Sequence, residues 1–176
     1  MDDYRKFLDQ NYEDDPSFLN PLNYAHLIAL GRVSALASAL ENQIEIGIWI
    51  LLDLSGHIGP IVTSELSFNG KILLLTSISR ARITHESELS DLIQRINNAK
   101  KSYEKRNILI HSKWGPSTKY LHVWRDKVKS RGDLKLSSEE ISEKEIIEIG
   151  DSLRESALSI GKWFNRIEVL NIDFIK

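Results

Sequence analysis

The chain has 176 residues, 41% hydrophobic and 27% charged, with a formal net charge of −2 at pH 7, the make-up of a soluble globular domain able to bury a hydrophobic core. It contains no cysteine, which excludes disulfides, zinc–thiolate sites and cysteine nucleophiles. The start, Met1-Asp2-Asp3-Tyr4-Arg5-Lys6, has no apolar run of the signal-peptide kind. The most apolar stretch, Ile44 to Leu54, carries Glu45 and Asp53 and falls short of the roughly 20 apolar residues that span a bilayer. The expectation is a soluble, cytoplasmic protein with no membrane partner.

In chain order, a short helix is expected over residues 1–14, closed by the turn Asp14-Asp15-Pro16-Ser17. From Leu22 to about Leu54 the sequence reads as one long helix, ended by Ser55-Gly56-His57-Ile58-Gly59-Pro60. Its second half is apolar nearly all round, which places it at the centre of a bundle or beneath a second copy of the chain. A second helix, capped by Thr63 or Ser64, runs through Lys71 to about Ser79, and a third from near Glu86 to about His111. Beyond Trp114, Tyr120, His122 and Trp124 alternate with Leu121, Val123 and Arg125, and Ser130-Arg131-Gly132-Asp133 offers a hairpin turn. A last helix follows Ser137-Ser138, with Glu139 and Glu140 in its first turn, and runs to about Val169. The fold class expected is all-α, a single domain over 1–176. It is read as a four-helix bundle over about 22–170, with a small β-hairpin at about 114–136 inserted between the third and fourth main helices.

Charge is unevenly spread. Between Lys100 and Lys135 there are eleven Lys and Arg against three acids, a balance of +8, which leaves −10 for the remainder. A basic segment on an acidic body is the footprint of polyanion binding, and it equally describes a solvated surface. Lys105, Lys113, Lys119, Arg125 and Lys127, with Lys129 and Arg131, can follow backbone phosphates. Trp114, Tyr120 and Trp124 can stack on bases or close the core.

The third helix carries the candidate site residues. Leu89, Leu92, Ile96, Ala99, Tyr103 and Ile110 form an apolar stripe at helical spacing. Asn107 and His111 are expected on its edge, Arg106 on its other flank, and Ile108 and Leu109 off it. Polar groups against a core need partners. A structural account pairs Arg106 with a carboxylate such as Glu41 on the long helix. A catalytic account uses the guanidinium to hold a phosphate and the imidazole to move a proton. No set of His, Asp and Glu has defensible metal-ligand spacing, and no Walker-type or Gly-x-Ser-x-Gly motif is present.

The segment Glu104-Lys105-Arg106-Asn107-Ile108-Leu109-Ile110-His111-Ser112-Lys113-Trp114-Gly115 resembles the Arg-x4-6-His signature of the HEPN superfamily, in which a polar residue often follows the Arg. The long first helix with Glu41, and the helical run starting Ser67-Phe68-Asn69-Gly70-Lys71, extend the resemblance loosely over about 22–170. Many HEPN proteins are metal-independent endoribonucleases of toxin, RNA-processing and antiviral systems, commonly dimeric. The resemblance therefore implies Arg106, Asn107 and His111 as catalytic residues, with Glu41 and Tyr103 in support and no cofactor or metal. It implies RNA as substrate, a homodimer, and an antitoxin or sensor protein as a further partner. A catalytically silent module that binds a protein, RNA or nucleotide is the alternative. Toxins paired with nucleotidyltransferase antitoxins often carry a modifiable Tyr two positions after the His; here that position is Lys113, so that control is not implied.

Overall fold

The computed structural model describes residues 22, 24–116, 122–129 and 135–170. The helix expected over 1–14 and the turn Ser130-Arg131-Gly132-Asp133 lie outside them. The described chain is predominantly helical: α1 (Tyr24–Leu52), α2 (Gly59–Thr63), α3 (Phe68–Arg82), α4 (Glu86–Ile110) and α5 (Glu143–Leu170). Between α4 and α5 run three antiparallel strands in the order β1 (Lys113–Pro116), β2 (His122–Lys129) and β3 (Lys135–Ser142).

Local chemistry sets the helix ends. α1 stops at Asp53, whose φ of 54° lies in the left-handed region. The Leu54 N–H returns to the Trp49 carbonyl at 2.9 Å and the Asp53 N–H to that of Ile50 at 3.1 Å, a Schellman ending with Asp in the usual place of Gly. The second expected helix begins later than expected, at Phe68, and the short α2 forms ahead of it, starting within the turn expected at 55–60. Thr63, taken above as a cap, ends α2 with its hydroxyl buried and bonded to the Trp49 indole N–H at 3.2 Å. The cap of α3 is Ser67, whose Oγ accepts from the Gly70 N–H.

α5 also begins later than expected. Glu139 and Glu140 belong to β3, opposite Arg125 and Trp124 of β2, and the helix opens at Glu143. Ser142 and Glu145 there form a reciprocal capping box: the Ser142 N–H donates to Glu145 Oε2 at 2.8 Å and the Glu145 N–H to Ser142 Oγ at 3.3 Å. The same Ser-x-x-Glu spacing occurs at Ser137 and Glu140, and the strand pairing of β2 decides between the two starts.

The chain forms two compact units. One takes Val33–Arg106 and the chain from Ile149 onward. Its core face on α1 is Val33, Ala37, Leu40, Ile44, Ile48 and Leu51, all nearly or fully buried and spaced three or four residues apart. Four helices of this unit touch in turn: α1 meets α3 at Glu41 and Lys71, and α3 meets α4 at Phe68 and Tyr103. α4 meets α5 where Arg95 Nη1 donates to Ser159 Oγ at 2.6 Å and where the Ser102 and Ser156 hydroxyls lie 3.0 Å apart. α5 returns to α1, its Phe164 ring filling the space a Cβ at Gly47 would need. The all-round apolar half of α1 is thus central to its own unit. α1 is also long and apolar enough to cross a membrane by length and composition, with mean hydropathy 1.2 over its most apolar window.

The other unit takes the chain up to Arg32 and Asn107–Glu148. Its buried residues include His26, Ala29, Leu109, Ile141 and Ile146, and the strands belong to it.

Candidate functional site

Six side chains from three helices of the first unit make one connected cluster. α1 brings Glu41 and Glu45, neighbours one turn apart; α3 brings Phe68 and Lys71; α4 brings Tyr103 and Arg106. Lys71 is only 4% exposed, and its ammonium lies 2.5 Å from Glu41 Oε1 and 2.5 Å from Glu45 Oε1. The second oxygen of Glu41 accepts a long, weak hydrogen bond of 3.4 Å from the Tyr103 hydroxyl. The Tyr103 ring stacks on Phe68 with centroids 3.6 Å apart and planes within 3°. Arg106, three residues on, holds its guanidinium carbon 5.4 Å from the Tyr103 ring centroid, within cation–π range.

The electrostatics follow from this arrangement. Burial pulls the Lys71 pKa down, but the hydrogen bonds and charges of Glu41 and Glu45 outweigh it and hold the ammonium above its ordinary 10.5. Burial and then the Glu41 charge push the Tyr103 phenol above its ordinary 10.0, against a smaller opposing pull from Arg106. At neutral pH the lysine is therefore charged and the phenol keeps its proton. Glu41 takes both at once, one oxygen to each.

Of the residues singled out in the sequence, the structure brings Glu41, Tyr103 and Arg106 together in this unit. It adds Lys71, Glu45 and Phe68. Lys71 left a trace in the sequence, because it sits among Phe68, Ile72, Leu75 and Ile78 at helical spacing, all buried. A lysine on such a face needs a carboxylate partner, and Glu41 with Glu45 presents two at i and i+4.

Asn107 and His111 belong to the other unit. Asn107 is half-buried in the last turn of α4, and its carbonyl accepts from the His111 N–H at 3.1 Å. His111 lies just past the helix end and is exposed, which corrects the expectation that it borders the core. Leu109, expected off the stripe, is fully buried, whereas Ile108 is 42% exposed. The stripe was drawn from apolar residues alone and missed Ser102, which is 7% exposed and faces α5 through Ser152 and Ser156. With Ser102 included, the buried arc turns towards the side holding Leu109. On a straight helix His111 and Leu109 lie about 100° to either side of Leu92, so a turn of the arc buries one and frees the other.

Among the residues expected to meet RNA, Lys105 and Lys113 are exposed and Trp114 is half-buried. Trp114 pairs in register with Arg125. The Arg125 side chain is 12% exposed and forms an ion pair with Glu139 on the neighbouring strand, so its charge is compensated within the sheet. Lys127 stands opposite Ser137 in β2 and β3, and Lys119 lies outside the described residues. Of the other histidines, His57 and His85 are exposed and His26 is buried.

Two clefts of the first unit lie away from this cluster. One of about 420 Å³ between α4 and α5 is lined by Arg95, Asn98, Lys101 and several serines. Another of about 380 Å³ between α1 and α5 has Leu36, Ala39, Ala157 and Leu158 on its walls with Arg154 and Lys162. Among the described residues, no three His, Asp or Glu side chains converge as metal ligands. Comparison of the chain with protein-family models, curated proteins and solved structures finds no match in any of the three.

Proposed function

We propose that this chain is an HEPN-type endoribonuclease. In this reading the four long helices are an HEPN-like bundle, the strands between α4 and α5 are an insertion, and the protein acts in the cytoplasm as a toxin or antiviral effector. The observation that carries the reading is the end of α4: the Arg106 guanidinium over the Tyr103 ring, and His111 five residues later, exposed past the helix terminus. A guanidinium matches the geometry of a phosphate with two donors. An exposed imidazole can take a proton from one oxygen and return it to another.

The reaction is attack of the ribose 2′-oxygen on the adjacent phosphorus. The 2′-O–P bond forms as the bond to the 5′-oxygen breaks, leaving a 2′,3′-cyclic phosphate and a 5′-hydroxyl. His111 removes the 2′-proton or protonates the leaving oxygen, and Arg106 stabilises the charge that develops on the phosphoryl group. Asn107, at i−4 from His111, orients the imidazole or the scissile phosphate. Lys105 and Lys113 draw in the RNA backbone, and Trp114 offers a face for a base.

Five residues on a straight helix set Arg106 and His111 about 140° apart. A two-fold dimer answers this by supplying Arg from one copy and His from the other to a shared cleft, and an antitoxin or sensor protein would then act on that dimer. Analysis of the ends of the cut RNA tests the chemistry. Cyclic phosphates and 5′-hydroxyls are expected, and 3′-hydroxyls with 5′-phosphates would refute 2′-oxygen attack. The alternative is a module that binds RNA, a nucleotide or a protein without cutting. Retained binding with no cleavage by the wild type would select that alternative.

A further inference from the structure

We infer that Lys71 is a positioning residue for Arg106, acting through Glu41 and Tyr103; the inference rests on the nuclease reading only for its effect on cleavage. The chain of contacts is continuous and lies within one unit. The Lys71 ammonium is held between Glu41 and Glu45, 2.5 Å from each. It fixes the Glu41 carboxylate, whose other oxygen receives the Tyr103 hydroxyl at 3.4 Å. The Tyr103 ring stacks on Phe68, nearly parallel with centroids 3.6 Å apart, and the Arg106 guanidinium stands over the ring 5.4 Å from its centroid.

Each link restricts the next. A Tyr ring stacked on Phe68 and weakly tethered at its hydroxyl turns less freely, so the π-surface met by Arg106 keeps a preferred orientation. The guanidinium is planar and recognises phosphate through a forked pair of donors, so the tilt of its support sets the direction of that fork. Lys71 stands three contacts from Arg106, with Glu41 and Tyr103 between them, and at 4% exposure it cannot be reached by RNA. Its influence on the reaction runs only through placement. Glu45 completes the arrangement by giving the ammonium a second carboxylate, which stops Lys71 from swinging away with Glu41.

A displacement of about 1 Å in a phosphate-holding group costs up to about 100-fold in rate. Lys71→Met keeps the length and apolar stem of the side chain while removing the charge. The expected result is a fall in kcat of about 10- to 100-fold with KM nearly unchanged, and Lys71→Arg recovers most of it. Tyr103→Phe keeps both ring contacts and removes the hydroxyl link, so it also lowers kcat. Should Lys71→Met fail to fold, Tyr103→Phe carries the test alone. Wild-type kcat in a folded Lys71→Met, or in Tyr103→Phe, with Arg106→Ala inactive, overturns the positioning role and leaves the nuclease reading standing.

The Arg106 Nε–H resonance supplies a readout that needs no catalysis. It is expected to move and to exchange faster with solvent in Lys71→Met. If the wild type cuts no RNA, the nuclease reading falls and this resonance decides the positioning role. A shift in Lys71→Met upholds that role, and an unchanged resonance refutes it.

Discussion

Lys71 carries a charge almost out of reach of water, and its cost is offset only because two carboxylates stand beside it. Taking the ammonium away leaves Glu41 and Glu45 one turn apart with nothing between them. Their side chains are 28% and 21% exposed, so solvent screens part of the penalty. Lys71→Met is expected to cost about 2 kcal/mol of stability at pH 7, read as a lower urea midpoint. The pH dependence has a definite sign. The folded state holds the Lys71 and Tyr103 protons more tightly than the unfolded chain does. Their contribution is present below the ordinary values of 10.5 and 10.0 and is lost as pH rises through the raised folded values. Wild-type stability should therefore fall from about pH 10 upward, and Lys71→Met should show the shallower fall. Equal slopes in the two proteins would show that Lys71 gains nothing from its carboxylates on folding.

At the scale of elements, the Gly47 contact between α1 and α5 is a sharp constraint. The Phe164 ring occupies the place a Cβ at Gly47 would take, and Phe164 is 2% exposed within the core. Gly47→Ala should destabilise the protein by about 1–3 kcal/mol despite the better helix propensity of Ala. Measured by thermal or urea unfolding, a neutral or stabilising effect would mean that the ring can shift at no cost.

The elements also show what sequence can and cannot reveal. α4 was legible because its apolar residues recur at helical spacing over many turns, and α1 because a long apolar run there holds no Pro or turn cluster. The start of α5 was not, because Ser137 with Glu140 and Ser142 with Glu145 offer the same cap. Only pairing of β3 with β2 chooses between them, and pairing is a non-local fact. α2 was missed because it is a five-residue helix in a Gly- and Pro-containing turn. In the candidate site, Arg106, Tyr103 and Glu41 were visible through motif and periodicity. The position of His111 was misjudged because Ser102, a small polar residue, carries part of the α4 contact surface.

At the scale of the whole molecule, the proposed nuclease would join a basic segment, a guanidinium over the Tyr103 ring and an exposed imidazole in an RNA-cutting dimer. Under that proposal Arg106 and His111 do this chemistry, one from each copy. The direct measurement is cleavage of mixed cellular RNA in EDTA by wild type, Arg106→Ala, His111→Ala and the two variants allowed to exchange subunits. Cutting by the wild type, loss in each folded variant, and partial recovery in the mixture, where one Arg and one His meet across the two-fold axis, are expected. Full activity in folded His111→Ala, or an inert wild type confirmed as a dimer, would contradict the proposal.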